Sequence, residues 1–123
     1  MGWQRRSELA TSLGSDVFPV TVRQFVEGHL DTVTAVEVLL LLHRERSRAW
    51  STGAVATRLH IDADQTEGIL AGFSRSGLVR RHGLSFEYGP RTEEAAEAVD
   101  TLADVYPRYR YRIMDIILTK HRF

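Results

Sequence analysis

The 123-residue sequence predicts a mostly α fold that carries one small antiparallel β-hairpin. Three observations predict it. Apolar residues recur at i, i+3 and i+4 through most of the chain, the period of a helix with one buried face. Only Leu84 to Tyr88 alternates with period two, as a half-buried strand does. Helix-starting and helix-ending residues (Pro19, Asp31-Thr32, Ser51, Asp62, Gly77, Thr92) fall between the periodic stretches.

Taken in order, residues 1–17 have little periodicity, and a flexible N-terminal tail with Trp3 as its one large side chain is expected there. Pro19 opens a short helix over 20–30 whose apolar face is Val22, Phe25, Val26, His29 and Leu30. Asp31 or Thr32, or a capping box of Thr34 and Glu37, starts the next helix. From Val33 to His43 apolar residues surround the axis, so this helix is expected to be central and buried on most sides. Arg44 to Arg48 is a solvated exit, and Ala49-Trp50 a short strand. Ser51 then caps a helix from Thr52 to Leu59 that turns Val55, Ala56 and Leu59 inward. Ile61 plugs a tight turn and Asp62 caps a second helix, with Thr66, Ile69, Leu70 and Phe73 facing the core, which Gly77 ends in a left-handed conformation. Leu78-Val79 enters the hairpin, Arg80-Arg81-His82 with Gly83 forms its turn, and Leu84, Phe86 and Tyr88 share one face of the returning strand. After Gly89-Pro90, Thr92 opens a helix with the stripe Ala95, Ala98, Val99, Leu102 and Val105. Pro107 kinks or restarts it, and Tyr109, Ile113, Ile116 and Ile117 form the terminal stripe, broadened by Tyr111, Met114 and Leu118.

The run from Glu37 to Arg81, EVLLLLHRERSRAWSTGAVATRLHIDADQTEGILAGFSRSGLVRR, resembles the winged helix-turn-helix superfamily, nearest to small bacterial transcription regulators of the MarR-like kind. That resemblance implies a mostly α fold with a small β-wing and extra N- and C-terminal helices, a single domain over 18–123. It also implies double-stranded DNA as partner, with the second helix of the pair in the major groove. Gln65, Gly68, Ala71 and Arg75 would then meet bases, while Arg58, Arg80, Arg81 and His82 hold phosphates. Winged helices also serve as protein-interaction modules, so an adaptor or inhibitor of the transcription or signalling machinery is the alternative.

Composition narrows the classes further. Hydrophobic content of 43% and charged content of 26% suit a globular domain, and the absence of cysteine excludes disulfides and thiolate chemistry. The longest apolar run, Val38 to Leu42, is far too short to span a bilayer, so a cytoplasmic, non-membrane protein is expected. The formal net charge is zero, where a DNA binder usually shows a basic excess. The charge is nonetheless uneven: residues 44–82 carry a net of +3 and 107–123 of +4, while 91–106 carry −4.

No enzyme is expected. His29, His43, His60, His82 and His121 lack metal-ligand spacing, and no nucleophile elbow, phosphate loop, paired catalytic carboxylates or cofactor motif appears. On the second helix of the pair, Asp64 and Glu67 carry the wrong sign for DNA, although a helix N-terminus favours acids. Gly68 and Gly72 cost about 1 kcal/mol each in an exposed helix, so close approach of a partner backbone, DNA or protein, is expected on that face. A homodimer is expected through Tyr109, Ile113, Ile116 and Ile117 and the helix at 20–30.

Overall fold

The computed structural model describes residues 18 to 120; the expected tail with Trp3, and His121 to Phe123, lie outside the described residues. Among those described, five helices and three short strands follow one another as α1 (Val20–His29), α2 (Val33–Arg44), β1 (Trp50–Ser51), α3 (Thr52–Leu59), α4 (Ala63–Arg75), β2 (Val79–His82), β3 (Ser85–Tyr88) and α5 (Glu93–Lys120). The strands form one antiparallel sheet in the order β1-β3-β2.

Local chemistry accounts for most of the boundaries. Thr32 Oγ1 accepts from the Ala35 amide at 3.0 Å, Ser51 Oγ from Ala54 at 3.1 Å, Asp62 Oδ2 from Gln65 at 2.8 Å and Thr92 Oγ1 from Ala95 at 3.0 Å. Each satisfies one of the backbone donors that a helix start leaves without a partner. At the other end of α4, Gly77 takes φ +82° and the Leu78 amide donates back to the Phe73 carbonyl at 2.9 Å.

α2 is the centre of the core. Val36, Val38, Leu39, Leu41 and Leu42 are fully buried, as its unbroken apolar character requires, and α3, α4, β3 and α5 surround them. Full burial of such a side chain contributes about 1.5–3 kcal/mol. α1 lies alongside the second half of α5 in the same direction. At one end Phe18 meets the Tyr109 ring edge-to-face at 5.7 Å. At the other, Lys120 Nζ donates to the Val26 and Leu30 carbonyls at 3.3 and 3.1 Å and pairs with Asp31 at 3.1 Å, placing a cation on the negative end of α1.

Several expectations shift. Arg80 to His82 belong to strand β2, in register with Glu87, Phe86 and Ser85, and the turn is the two-residue loop Gly83-Leu84. Gly83 has φ +63°, the positive value that the first position of a tight hairpin loop of the II′ kind requires. Leu84 therefore leaves the face of Phe86 and Tyr88 and is 82% exposed. The first strand is Trp50-Ser51, one residue later than expected, because the buried Trp50 pairs with Phe86. His29 is exposed at the edge of its helix rather than on the core face. The kink expected at Pro107 is present: α5 continues past it, bent where Tyr109 departs from helical geometry (φ −120°, ψ 29°). Ile113, Ile116 and Ile117, expected between two copies, are buried within their own chain beside α1, and Tyr109 packs against the same core. Tyr111 and Leu118, expected to broaden that stripe, are instead 79% and 62% exposed. No helix of the described residues is long and apolar enough to cross a membrane.

Candidate nucleic-acid interface

α3 and α4 are set against each other by a turn of three residues, His60, Ile61 and Asp62. His60 ends α3 in the left-handed conformation (φ 59°, ψ 49°), and the Ile61 amide donates to the Ala56 carbonyl at 3.0 Å. Histidine tolerates this conformation better than branched residues do, but glycine is the usual occupant, so the sequence carries no clear mark of it. Thr66 is the one fully buried polar side chain among the described residues, and its hydroxyl is satisfied by donating to the Asp62 carbonyl at 2.7 Å.

With Thr66, Leu70 and Phe73 inward, the outer crest of α4 is Asp64, Gly68, Ala71 and Arg75, spaced four, three and four residues apart. Asp64, Gly68 and Arg75 are exposed and Ala71 is half-buried. Gln65, also exposed, lies to one side, where it lines a cleft of about 430 Å³ between α4 and the α1–α2 junction with Gly68, Ile69, Gly72 and Phe73. A methyl group added at Gly68 would meet nothing within 4 Å. The two glycines are thus not required by packing inside the chain, Gly72 having only Arg75 Nη2 at 3.8 Å.

Glu67 lies on the other flank, and the structure changes its meaning. Thr52 Oγ1 donates to its carboxylate at 2.6 Å and Arg81 lies 3.6 Å away, so Glu67 ties α3 and β2 to α4. The hairpin and the exposed side of α4 are thereby joined on one surface. The acid is spent inside the fold, and so is part of Arg81. That guanidinium also sits over the Phe86 ring at 4.9 Å and donates through Nε to the Gly83 carbonyl at 3.1 Å.

The expected phosphate contacts divide in the same way. Arg58 pairs with Glu45 at 2.6 Å and lies 5.7 Å from the centre of the Trp50 ring. His82 faces Glu87 at 3.2 Å. Arg80 alone of the four makes no ion pair among the described residues, and Arg75 on the crest is equally uncompensated. A third such cation, Arg91, was missed because it is eleven positions from Arg80. It comes close only because its amide donates to the Gly77 carbonyl at 2.8 Å, bringing the chain back to the base of the hairpin. Part of the acidic block is used elsewhere: Asp100 receives His43 at 2.8 Å and Arg46 at 3.9 Å.

Among the described residues no group of three or more metal-ligating side chains converges. Compared with protein-family models, curated proteins and solved structures, the chain matches none of them.

Proposed function

We propose that this chain is a winged helix-turn-helix regulator of transcription, in which α4 enters the major groove of DNA and the β2–β3 hairpin serves as the wing. The observation that carries the reading is the shared surface of α4 and the hairpin. Arg81 and Glu67 join them, and the exposed Arg75 of α4 and Arg80 of the hairpin make no ion pair among the described residues. Arg75, with Gln65, supplies the hydrogen-bonding reach toward base edges, while Gly68 and Ala71 let the backbone of α4 approach closely. Arg80 holds phosphate directly. Arg58, Arg81 and His82 contribute only as far as their carboxylate partners release them.

A titration of random duplex DNA at several salt concentrations tests the proposal. Nonspecific binding on the order of 10⁻⁴ to 10⁻⁶ M at physiological salt is expected, weakening steeply as salt rises and further in Arg75→Ala/Arg80→Ala. Absence of binding at low salt overturns it.

The second reading, a winged-helix protein-interaction module, draws support from the cleft at Gly68, Ile69, Gly72 and Phe73. A cytoplasmic homodimer completes the leading proposal, since regulators of this architecture read two half-sites. With Ile113, Ile116 and Ile117 committed to the core, pairing would use the exposed Tyr111 and Leu118 of α5. Sedimentation should then give twice 14.0 kDa for the native chain and 14.0 kDa for Tyr111→Glu/Leu118→Glu. A native chain that stays monomeric at every concentration argues against pairing.

A further inference from the structure

Where the end of α4, the free edge of the sheet and the start of α5 meet, the surface forms a concavity of about 310 Å³. Ser74, Gly77, Val79, Arg80, Arg81, His82, Gly89 and Arg91 line it, and none of them is acidic. We propose that Arg80 and Arg91, with the Ser74 hydroxyl, form a binding pocket for a phosphate-type oxyanion.

The floor is made of glycine. A Cβ on Gly89 would fall 2.7 Å from Arg80 Nε and 3.0 Å from its Cζ. One on Gly77 would fall 3.2 Å from Arg91 Cδ and 3.3 Å from its Nε. Both guanidinium arms therefore lie down on bare backbone, and the two stretches are neighbours because the Gly89 amide donates to Leu78 and the Arg91 amide to Gly77. Gly77 is also held at φ +82°, where a side chain would be strained.

Charge points the same way. The chain has 16 basic and 16 acidic residues, and Arg46, Arg48, Arg58 and Arg81 each find a carboxylate within 4 Å. Arg80 and Arg91 do not. Two guanidiniums facing one concavity that no acidic residue lines repel each other, and an oxyanion between them removes the repulsion and uses their forked donors. Three of the last four carbonyls of α4, which would repel an anion, are occupied. Those of Gly72 and Ser74 accept from Ser76 and Gly77, and that of Phe73 from Leu78 and the Ser76 hydroxyl.

The oxyanion could be a backbone phosphate of DNA or a free phosphate group; the first source rests on the DNA-binding reading and the second does not. Two titrations of the full chain, with inorganic phosphate and with a random duplex, separate them. Phosphate is expected to shift the Arg80 and Arg91 Nε–Hε resonances saturably. Duplex affinity is expected to fall roughly tenfold in Arg91→Gln, with Arg91→Lys keeping most of it. The slope of log affinity against log salt should fall by about 1 in the glutamine variant. Gly89→Ala retains every charge yet pushes Arg80 off its floor, so it should weaken both ligands. It keeps the test decisive if Arg91→Gln does not fold, which thermal melting reveals. Saturable phosphate shifts without duplex binding support a small-anion pocket and sink the DNA reading. Duplex binding that is indifferent to Arg91→Gln and Gly89→Ala, with no phosphate shifts, overturns the pocket and leaves the DNA reading standing. No response to either ligand overturns both.

Discussion

Tyr88 shows how much one side chain can set at the residue scale. It is 7% exposed, its ring meets His43 edge-to-face at 5.2 Å, and its hydroxyl has no hydrogen-bond partner among the described residues. Burial, helped by Asp100 and opposed by Arg46, pushes its pKa up to about 12. A raised tyrosine pKa means that the folded state holds its proton longer than the unfolded chain. Stability is therefore intact below about pH 10 and lost as pH rises from there toward 12. Tyr88→Phe keeps the ring, so at neutral pH it should change stability by less than about 1 kcal/mol and should blunt the alkaline loss. Denaturant melts at pH 7 and pH 11 measure both, and an undiminished alkaline loss in the variant removes Tyr88 as its source. His29 behaves in the opposite direction. Its ring lies against that of Phe25, tilted by 35° at 4.7 Å between centres, and partial burial, then the Lys120 charge, lower its pKa. Its contribution is full above about pH 6.5 and is lost as pH falls through that value toward the folded pKa. The fall in melting temperature from pH 8 to pH 5 should accordingly be smaller in His29→Gln; equal falls in the two chains would refute this. The charges that act on these two groups, Asp100 and Arg46 on Tyr88 and Lys120 on His29, come from other elements and are not visible in the sequence.

At the scale of elements, the helix caps were legible and their strength can be predicted. Asp62 closes the start of α4 on the Gln65 amide, so Asp62→Ala should cost about 1 kcal/mol in a chemical melt. A cost of zero would mean that solvent replaces the cap without loss. Gly68 is the converse case. It sits inside α4 with open space where a Cβ would go, so Gly68→Ala should stabilise the chain by roughly 0.5–1 kcal/mol. If its bare surface exists for a partner backbone, the same change should weaken binding while raising the melting temperature, a pairing that no folding role produces. The hairpin was legible in existence but displaced in register. The turn needed a positive φ, and Gly83 could meet it in a two-residue loop, which drew Arg80 to His82 into the strand and left Leu84 outside.

Over the whole molecule, one core centred on α2 holds the fold, and Leu39→Ala at its middle should cost about 2–5 kcal/mol by denaturant melting, against nearly nothing for Leu118→Ala at 62% exposure. A comparable loss at both sites would show that Leu118 is covered in solution, as a second copy would cover it. The candidate interface has a different origin. Gln65, Gly68, Ala71 and Arg75 could be read from helical spacing, since period alone decides which residues oppose Thr66, Leu70 and Phe73. Their electrostatics could not, because an ion pair depends on distance in space. Glu67 joins Arg81, Glu45 joins Arg58, and Arg91 comes beside Arg80 only when the chain closes on Gly77. Sequence by itself determined the helix starts, the buried α2, the helix pair with its hairpin and the uneven charge beneath a neutral total, all of which rest on periodicity and on contacts within a few residues. Tertiary structure alone decided which apolar stripe of α5 is core and which is exposed, and which arginines keep their charge available, because burial and charge pairing arise between residues that the chain separates and only folding brings together.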